Sequence, residues 1–379
     1  MMVLMISSDR KVFEKDSAVR RRMIEYGGIT DELHIVVFSR RIGNRESGIR
    51  NEKIAKNVFV YETNSFSRWF YIFDAIRIGK NVISKPHTLN PRPWLVTSQD
   101  PFEAGLAGWR IARAFSAKLQ IQIHTDFLSP YFAGESILNK IRVLIAKFIL
   151  PKADCVRVVS RRISDSLTAN SYEPKAVPVV LPIFVDMEKI QNTSPAFDLH
   201  KKYPQFDRII LMASRLSKEK NIGLAISAMS KVIKKYPRSG LIIVGSGPEE
   251  NALKLKAMSY KLTANIVFEG WQNDILSYYK TADLFLNTSN YEGYGLTLLE
   301  AAVSGCPIVT TDVGIASELK KNGADVSACP VGDEACITEN ILKNFSTPKG
   351  HKLPWNPPAS LIESSKSEYL KKYSESWQK

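Results

Sequence analysis

The feature that most constrains this chain is an alternation: short runs of β-branched and other apolar residues, each followed by a helical stretch of roughly ten residues or more. Six runs come first: Met2–Ile6, Leu33–Phe38, Val58–Tyr61, Trp94–Thr97, Leu119–His124 and Cys155–Val159. Five more follow a Pro-rich turn: Ile209–Ala213, Leu241–Val244, Asn265–Phe268, Leu284–Asn287 and Ile308–Thr310. Strands joined through helices pair in parallel as βαβ units, so the fold class is α/β. A length of 379 residues accommodates two such sheets.

The segment Pro174–Pro195, with Pro178 and Pro182 inside it, breaks regular structure and supplies the connection between the sheets. With the boundary near Asp186, the expected domains are 1–185 and 186–350, followed by 351–379 as linker and helix. A second break, Pro354–Pro358, precedes a polar stretch, Ser360–Lys379. There Tyr369, Tyr373 and Trp377, four apart, form one helical stripe that should pack back on the body. Open α/β sheets bind ligands beyond the carboxyl ends of their strands, so two sheets facing one another are expected to enclose a cleft.

Composition narrows the function. With 44% hydrophobic and 24% charged residues the chain is not intrinsically disordered. Residues 1–185 hold 28 Lys and Arg against 17 Asp and Glu, leaving 24 against 21 for the remainder, so the basic face belongs to the first half. Such a surface suits anionic lipid, nucleic acid or a phosphorylated substrate. Cys155, Cys306, Cys329 and Cys336 lack close CxxC pairing and His is scarce, so neither a disulfide framework nor a structural zinc site is expected. The apolar start, Met1–Ile6, lacks the charged lead and length of a signal peptide, and no run approaches the ~18 apolar residues of a membrane span. A cytoplasmic protein is expected.

Four constellations carry chemistry. In YEGYGLTLLEAAVSGCPIV, Tyr291 to Val309, Gly293 and Gly295 delay a helix, leaving Glu292 in a loop and Glu300 in an early turn. Eight helical residues would separate the two carboxylates by roughly 12 Å, too far to share a proton but suited to gripping two parts of one ligand. Equally, Glu300 is a helix-dipole partner and Glu292 a solvated loop residue. In MASRLSKEKNIGLAISAM, Met212 to Met229, Arg215 and Lys220 flank a strand-to-helix turn where a guanidinium and an ammonium can neutralise a diphosphate, with Asn221 as helix cap. A basic surface turn paired with Glu219 is the plainer alternative.

In LIIVGSGPEEN, Gly245 and Gly247 follow a buried strand, but the third glycine of a dinucleotide fingerprint is missing and Glu249 and Glu250 would repel a pyrophosphate. Close backbone approach to a nucleoside or sugar and a simple tight turn remain equal alternatives. Finally, LVTSQDPFEAGLAGWRIARAF and LQIQIHTDFLSPYF put Asp100 and His124 just past two consecutive strands, with Asp126 beside the histidine. A lone His is commonly structural; its place at a strand end is what brings it into a site. His34 begins a strand, and His87, His200 and His351 sit in polar linkers.

Taken in order, these pieces resemble the family-4 retaining glycosyltransferases (glycosyl transferases group 1), whose architecture of two Rossmann-like domains facing a central cleft is called GT-B. ASRLSKEKN, VGSGP, FEGW and ADLFLNTSNYEGYGLTLLEAAVSGCPIVTTDVG carry the resemblance, and QDPFEAGLAGW and QIHTDF extend it to the first half. It implies that Arg215 and Lys220 hold a donor diphosphate, that Glu300 takes the ribose hydroxyls and Glu292 the transferred sugar, and that His124 sits beside the anomeric centre. Gly245, Gly247, Trp271, Gly293, Tyr294, Gly295 and Leu296 complete the implied donor side. The family works without a metal, and no Asp-x-Asp occurs here; no cofactor is expected. The glycine-rich loop that usually follows the first strand is replaced by SSDRKVFEKDSAVRRR. Acceptor contacts there, through Arg10 or Arg20, are not carried over from the family; Arg10, Arg20, Asp100 and Asp126 are the acceptor-side candidates. The implied activity moves a hexose from a UDP- or GDP-sugar to a glycan or lipid-linked acceptor in envelope polysaccharide synthesis, with retention and with no nucleic-acid partner. A sugar-nucleotide epimerase on the same fold and a non-catalytic partner protein are the competing readings. Ile137–Lys152, ILNKIRVLIAKFILPK, reads as an interfacial amphipathic helix on the basic half, or else as a core-packed helix with solvated lysines.

Overall fold

The structure, a computed structural model, describes residues 1–41, 51–84, 93–170, 175, 177–347, 355–358, 361, 363 and 365–378. Pro174, Pro354 and Ser360, which open three of the sequence-read segments, and His87 and His351 lie outside the described residues.

The chain divides into two compact units. The first comprises Met1–Leu128, Ser136–Leu181 and Lys366–Lys379; the second comprises Ser129–Glu135 and Pro182–Ser365. The sheet of the first unit holds β1 (Met2–Ser7), β2 (Glu32–Val37), β3 (Asn51–Ala55), β4 (Val58–Glu62), β5 (Trp94–Ser98), β6 (Lys118–Ile123), β7 (Cys155–Val158) and β8 (Val179–Val180). Its order is β3-β4-β2-β1-β5-β6-β7-β8, with β3–β4 the antiparallel pair at one edge and every other pairing parallel. The second sheet holds β9 (Arg208–Ala213), β10 (Ser239–Val244), β11 (Ile266–Gly270), β12 (Leu284–Asn287), β13 (Ile308–Thr311) and β14 (Val326–Cys329), wholly parallel in the order β11-β10-β9-β12-β13-β14. The central strands are buried end to end, as strands covered by helices on both faces must be.

All eleven sequence-read runs are strands. β3, β8 and β14 were not anticipated, and each has a reason: β3 is polar, β8 is two residues long, and β14 reads Val-Ser-Ala-Cys without a β-branched run. The helix Lys366–Glu375 joins the first unit, where Tyr369, Tyr373 and the following Trp377 are all buried. The Tyr373 ring stacks on Tyr26 at 4.2 Å, and Trp377 meets it edge-on.

One expectation is overturned. Cys329 and Cys336 are joined by a disulfide, while Cys155 and Cys306 are buried thiols. The pair escapes a CxxC search because Cys329 ends β14 whereas Cys336 lies in the first turn of the helix Glu334–Phe345. The turn between them folds the helix back over the strand. Among the described residues, no helix is long and apolar enough to cross a membrane.

Candidate active site

In each sheet the strand order reverses once, and the crevice at that reversal is where an open α/β sheet admits a ligand. In the second unit the reversal falls between β9 and β12. The loops leaving these strands carry Arg215, Lys220 and Glu292, so residues 72 apart in sequence meet: Lys220 Nζ lies 2.5 Å from Glu292 Oε1. Ser289 Oγ is 2.8 Å from the same carboxylate oxygen.

The two loops are stitched together. The Thr288 hydroxyl reaches the carbonyls of Lys220 and Asn221, at 3.1 and 3.0 Å, and Asn290 N–H donates to the Glu219 carbonyl at 2.7 Å. Asn221 stands at the start of the helix Ile222–Lys235, but with φ 43° and no side-chain cap bond; its amide donates instead to Asn290 at 3.0 Å. Asn tolerates this left-handed backbone, so its expected capping role gives way to a turn that aims Lys220 at Glu292. Glu219 accepts from the Ser217 hydroxyl at 2.6 Å rather than pairing with a lysine. Arg215 is exposed and, among the described residues, makes no side-chain bond.

After Glu292 the chain turns at Gly295, whose φ of 90° suits glycine, and enters the helix Leu296–Val303. No side chain caps that end; Leu298 N–H donates to the Gly295 carbonyl at 3.0 Å, and the Leu296 and Thr297 amides have no partner among the described residues. Glu300 Oε2 accepts from the Tyr279 hydroxyl at 3.1 Å, and burial raises the carboxyl above its usual range although that bond opposes the rise. Tyr279 is fully buried and lies in the helix Ile275–Thr281. Its signal in the sequence is weak, a tyrosine in an apolar helix, although a buried phenol generally requires a partner.

Three donor-side candidates have structural roles in the protein itself. Tyr294 is buried and its hydroxyl donates to the Leu361 carbonyl, so its side chain is committed to the interior. Gly245 and Gly247 are required by the protein itself: a Cβ at Gly245, where φ is 133°, would fall on the Ser214 carbonyl oxygen, and one at Gly247 on that of Leu216. Leu216 N–H donates to the Ser246 carbonyl, and Glu249 N–H to that of Leu216. The loop after β10 thus buttresses the loop that carries Arg215. Trp271 follows β11 and is largely exposed. A further element was missed: the helix α4 (Pro130–Glu135) belongs to this unit, where the Tyr291 hydroxyl donates to Glu135 and Phe132 meets the Tyr291 ring edge-on at 5.5 Å.

In the first unit the reversal falls between β1 and β5, where the Ser7 hydroxyl donates to Gln99 Oε1 at 2.6 Å. Asp100, one residue on, accepts from the amides of Phe102 and Ala104 at 2.8 and 3.2 Å. It steadies the entry to α3 (Glu103–Phe115), and burial with Glu103 nearby pushes its carboxyl up to about 6. His124 follows β6, with Nε2 3.3 Å from Gln122 Oε1. The orientation of Gln122 is set by its neighbours: Arg157 donates to Oε1 at 2.9 Å, and Nε2 donates to Thr97 Oγ1 at 2.9 Å. An acceptor oxygen facing His124 places the imidazole proton on Nε2 and leaves Nδ1 as an acceptor. Burial, then the charges of Arg157 and Arg22, lower the imidazole to about 3, so it is neutral at physiological pH.

Arg157 is itself buried in β7, donating also to the Leu181 carbonyl and the Tyr369 hydroxyl, with its guanidinium 4.6 Å from the Tyr373 ring. Gln122, Arg157 and Arg22 were not singled out from the sequence, because polar residues inside strands and a third arginine in an Arg-Arg-Arg run look ordinary. Arg20 pairs with Glu52 at 2.7 Å, Arg10 is exposed, and Asp126 is half-buried.

Known proteins resemble this chain in sequence and in fold. Residues 198–353 match the family model described as glycosyl transferases group 1. Over 285 residues the chain is 26% identical to alpha-monoglucosyldiacylglycerol synthase of Streptococcus pneumoniae, an alignment covering 68% of this chain and 64% of that one, just under two thirds of the relative's length. Among solved structures, Anabaena Alr3699/HepE in complex with UDP superposes with a TM-score of 0.67 at 18% identity, covering 91% of this chain and 90% of that one. Sucrose-phosphate synthase of Thermosynechococcus elongatus gives 0.71 at 18% identity, over 100% and 94%. Residues 198–353 therefore resemble the glycosyl transferases group 1, and the two parallel-sheet units are those of the GT-B fold.

Proposed function

We propose that the protein transfers a hexose from a UDP- or GDP-sugar, with retention and without a metal, to a glycan or lipid-linked acceptor of the cell envelope. The observation that carries this reading is the Lys220–Glu292 pair at the reversal of the second sheet, beside an exposed Arg215 that lacks a side-chain partner among the described residues. Arg215 and Lys220 hold the diphosphate, and their positive charge stabilises the leaving group as the glycosidic bond breaks. Glu300, oriented by Tyr279, takes the ribose hydroxyls; Glu292, held by Lys220 and Ser289, takes the hexose. The acceptor is received at the carboxyl edge of the first sheet, where neutral His124 offers Nδ1 to a hydroxyl.

The donor class is supported by the Anabaena protein, solved with UDP and with UDP-glucose. The acceptor class is supported by the pneumococcal relative, named as a monoglucosyldiacylglycerol synthase. A lipid-linked acceptor fits α5 (Ile137–Ile149), whose Ile141, Leu144 and Phe148 are exposed beside Lys140 and Lys147, on the inner face of a membrane.

A screen of nucleotide sugars by thermal stabilisation and by turnover tests the reading. The true donor at ~100 times its dissociation constant adds roughly 2.7 kcal/mol of stability. Absence of stabilisation by every UDP- and GDP-hexose refutes it, and acceptor-independent conversion of the sugar identifies an epimerase instead.

A further inference from the structure

Among the described residues, the first unit carries a second exposed apolar surface. Phe66, Trp69, Phe70 and Phe73 surround the start of α2 (Tyr71–Ser84), and Phe66, Trp69 and Phe73 are 79%, 83% and 69% exposed. The turn that presents them is fixed: buried Ser65 donates to Asp74 at 2.6 Å, and Tyr71 stacks on Phe38. Aromatic side chains are thus held outward by a braced backbone.

This surface is coplanar with that of α5. The connections β4 to β5, β5 to β6 and β6 to β7 all run in one direction across the sheet, so right-handed crossovers place α2, α3 and α5 on one face. Contacts agree, with α2 against α3 and α3 against α5. At 8–10 Å between neighbouring axes, α2 and α5 stand about 20 Å apart in one layer. Trp109 of α3 lies between them, edge-on to Phe148 at 5.2 Å and close to Arg110 and Arg113. The three helices carry seven Lys and Arg against two acids, Asp74 and Glu103, and both acids are already paired, with Arg77 and Arg142.

We propose that α2, α3 and α5 form a single docking face for an anionic lipid surface, in which the aromatic start of α2 and the aliphatic stripe of α5 insert at two points and the intervening arginines meet headgroup phosphates. The choice of occupant rests on charge and residue type. A basic helical layer with Trp and Phe at its apolar points matches an acidic interface, where aromatic rings settle at headgroup depth. Two insertion points also fix the unit's orientation on the membrane, which one helix cannot. The inference deepens the membrane part of the proposed function and rests on it, while adding α2 and α3 as elements of the contact.

Co-sedimentation of the full chain with phosphatidylcholine vesicles, with and without phosphatidylglycerol, tests it. The expected result is binding to the anionic vesicles that weakens with salt. Trp69→Ser and Phe73→Ser should each lower partition about tenfold, as should Leu144→Ser. Arg110→Glu should lower it about fivefold or more. Nucleotide-sugar turnover with a soluble acceptor should be unchanged in the α2 and α3 variants. Loss of binding with Leu144→Ser alone, with both α2 variants at wild-type affinity, overturns the two-point face and leaves α5 as the membrane element. No binding of the wild type to either vesicle, or concentration-dependent self-association abolished by Trp69→Ser, overturns the lipid assignment while leaving donor binding intact.

Discussion

Replacing Lys220 by Ala separates two roles that the sequence alone would merge. Read as an exposed turn residue, Lys220 should lose only charge on substitution and leave the fold intact. In the structure its side chain is 18% exposed and that of Glu292 14%, so Lys220→Ala leaves a half-buried carboxylate whose remaining side-chain donor among the described residues is the Ser289 hydroxyl, itself shared with Asn287 Oδ1. A charge-assisted hydrogen bond contributes about 1.5–3 kcal/mol. Taking about 2 kcal/mol, and a midpoint shift of roughly 2–4 °C per kcal/mol for a unit of this size, the ligand-free variant should melt roughly 4–8 °C lower. Glu292→Ala should show a comparable loss, and the double variant should recover part of it, with a coupling of about 1 kcal/mol or more in the cycle. Calorimetry without ligand measures that coupling; nucleoside diphosphate titration of the same four proteins measures the other role. Lys220→Ala should bind the diphosphate at least about tenfold more weakly, whereas Glu292→Ala, which leaves the ammonium in place, should retain or improve affinity. Strict additivity of the single losses refutes the pair; equal diphosphate affinities across the set refute the phosphate assignment.

Further outcomes follow from individual residues. Because His124 is lowered to about 3 from an unfolded value near 6.5, the unfolded chain binds the extra proton across that interval. Stability should therefore rise with pH from about 3 to about 6.5, by up to ~1.4 kcal/mol per pH unit, and His124→Gln should flatten that slope; an imidazole resonance titrating near 6.5 contradicts the reading. Gly245→Ala should cost ~3 kcal/mol or more because the Ser214 carbonyl blocks its Cβ, whereas Gly270→Ala, at φ 67° with open space around it, should cost only ~1–2 kcal/mol; equal melting points for the two variants would sink the packing argument. Tyr279→Phe removes the one bond that opposes the upward shift of Glu300, so nucleotide affinity should begin to fall at a higher pH than in the wild type. Superimposable binding–pH curves would show that Glu300 does not carry the ribose.

How far the fold was legible depends on what each strand must bury. Runs such as Leu-Ile-Ile-Val in β10 and Leu-Phe-Leu-Asn in β12 are covered on both faces, and burial on both faces leaves a continuous apolar mark. β3, Asn-Glu-Lys-Ile-Ala, sits at a sheet edge with one exposed side and leaves none. Helix α4 is a different failure. Its sequence, Pro-Tyr-Phe-Ala-Gly-Glu, runs straight on into the first unit's next helix, yet Phe132 and Glu135 complete the second unit around Tyr291. Membership of a unit is a property of tertiary contacts, and no local pattern encodes it.

The site was legible in its charged residues and silent in the groups that hold them. Arg215, Lys220, Glu292 and Glu300, the charged members of the candidate site, stand out in the sequence by charge at strand and helix ends, where the same charge also serves as a helix-dipole partner or a solvated turn. The groups that hold them and their neighbours are mostly hydroxyls, some local and some from other elements. Tyr279 holds Glu300, Ser289 holds Glu292, Tyr291 reaches Glu135, and Tyr369 and Tyr373 enclose the Arg157 that orients Gln122 and, through it, His124. A phenol buries a large apolar ring and delivers one hydrogen bond at its far end, so it can be recruited from a core position several residues deep. In the sequence such a tyrosine is indistinguishable from one that merely fills space. The physical distinction is whether the hydroxyl ends on a titratable group, and only the packed structure supplies that. Among buried tyrosines, those bonded to an ionisable side chain should therefore be the ones whose replacement by phenylalanine changes binding or its pH dependence. Tyr294, whose hydroxyl ends on the Leu361 carbonyl, should lose stability alone.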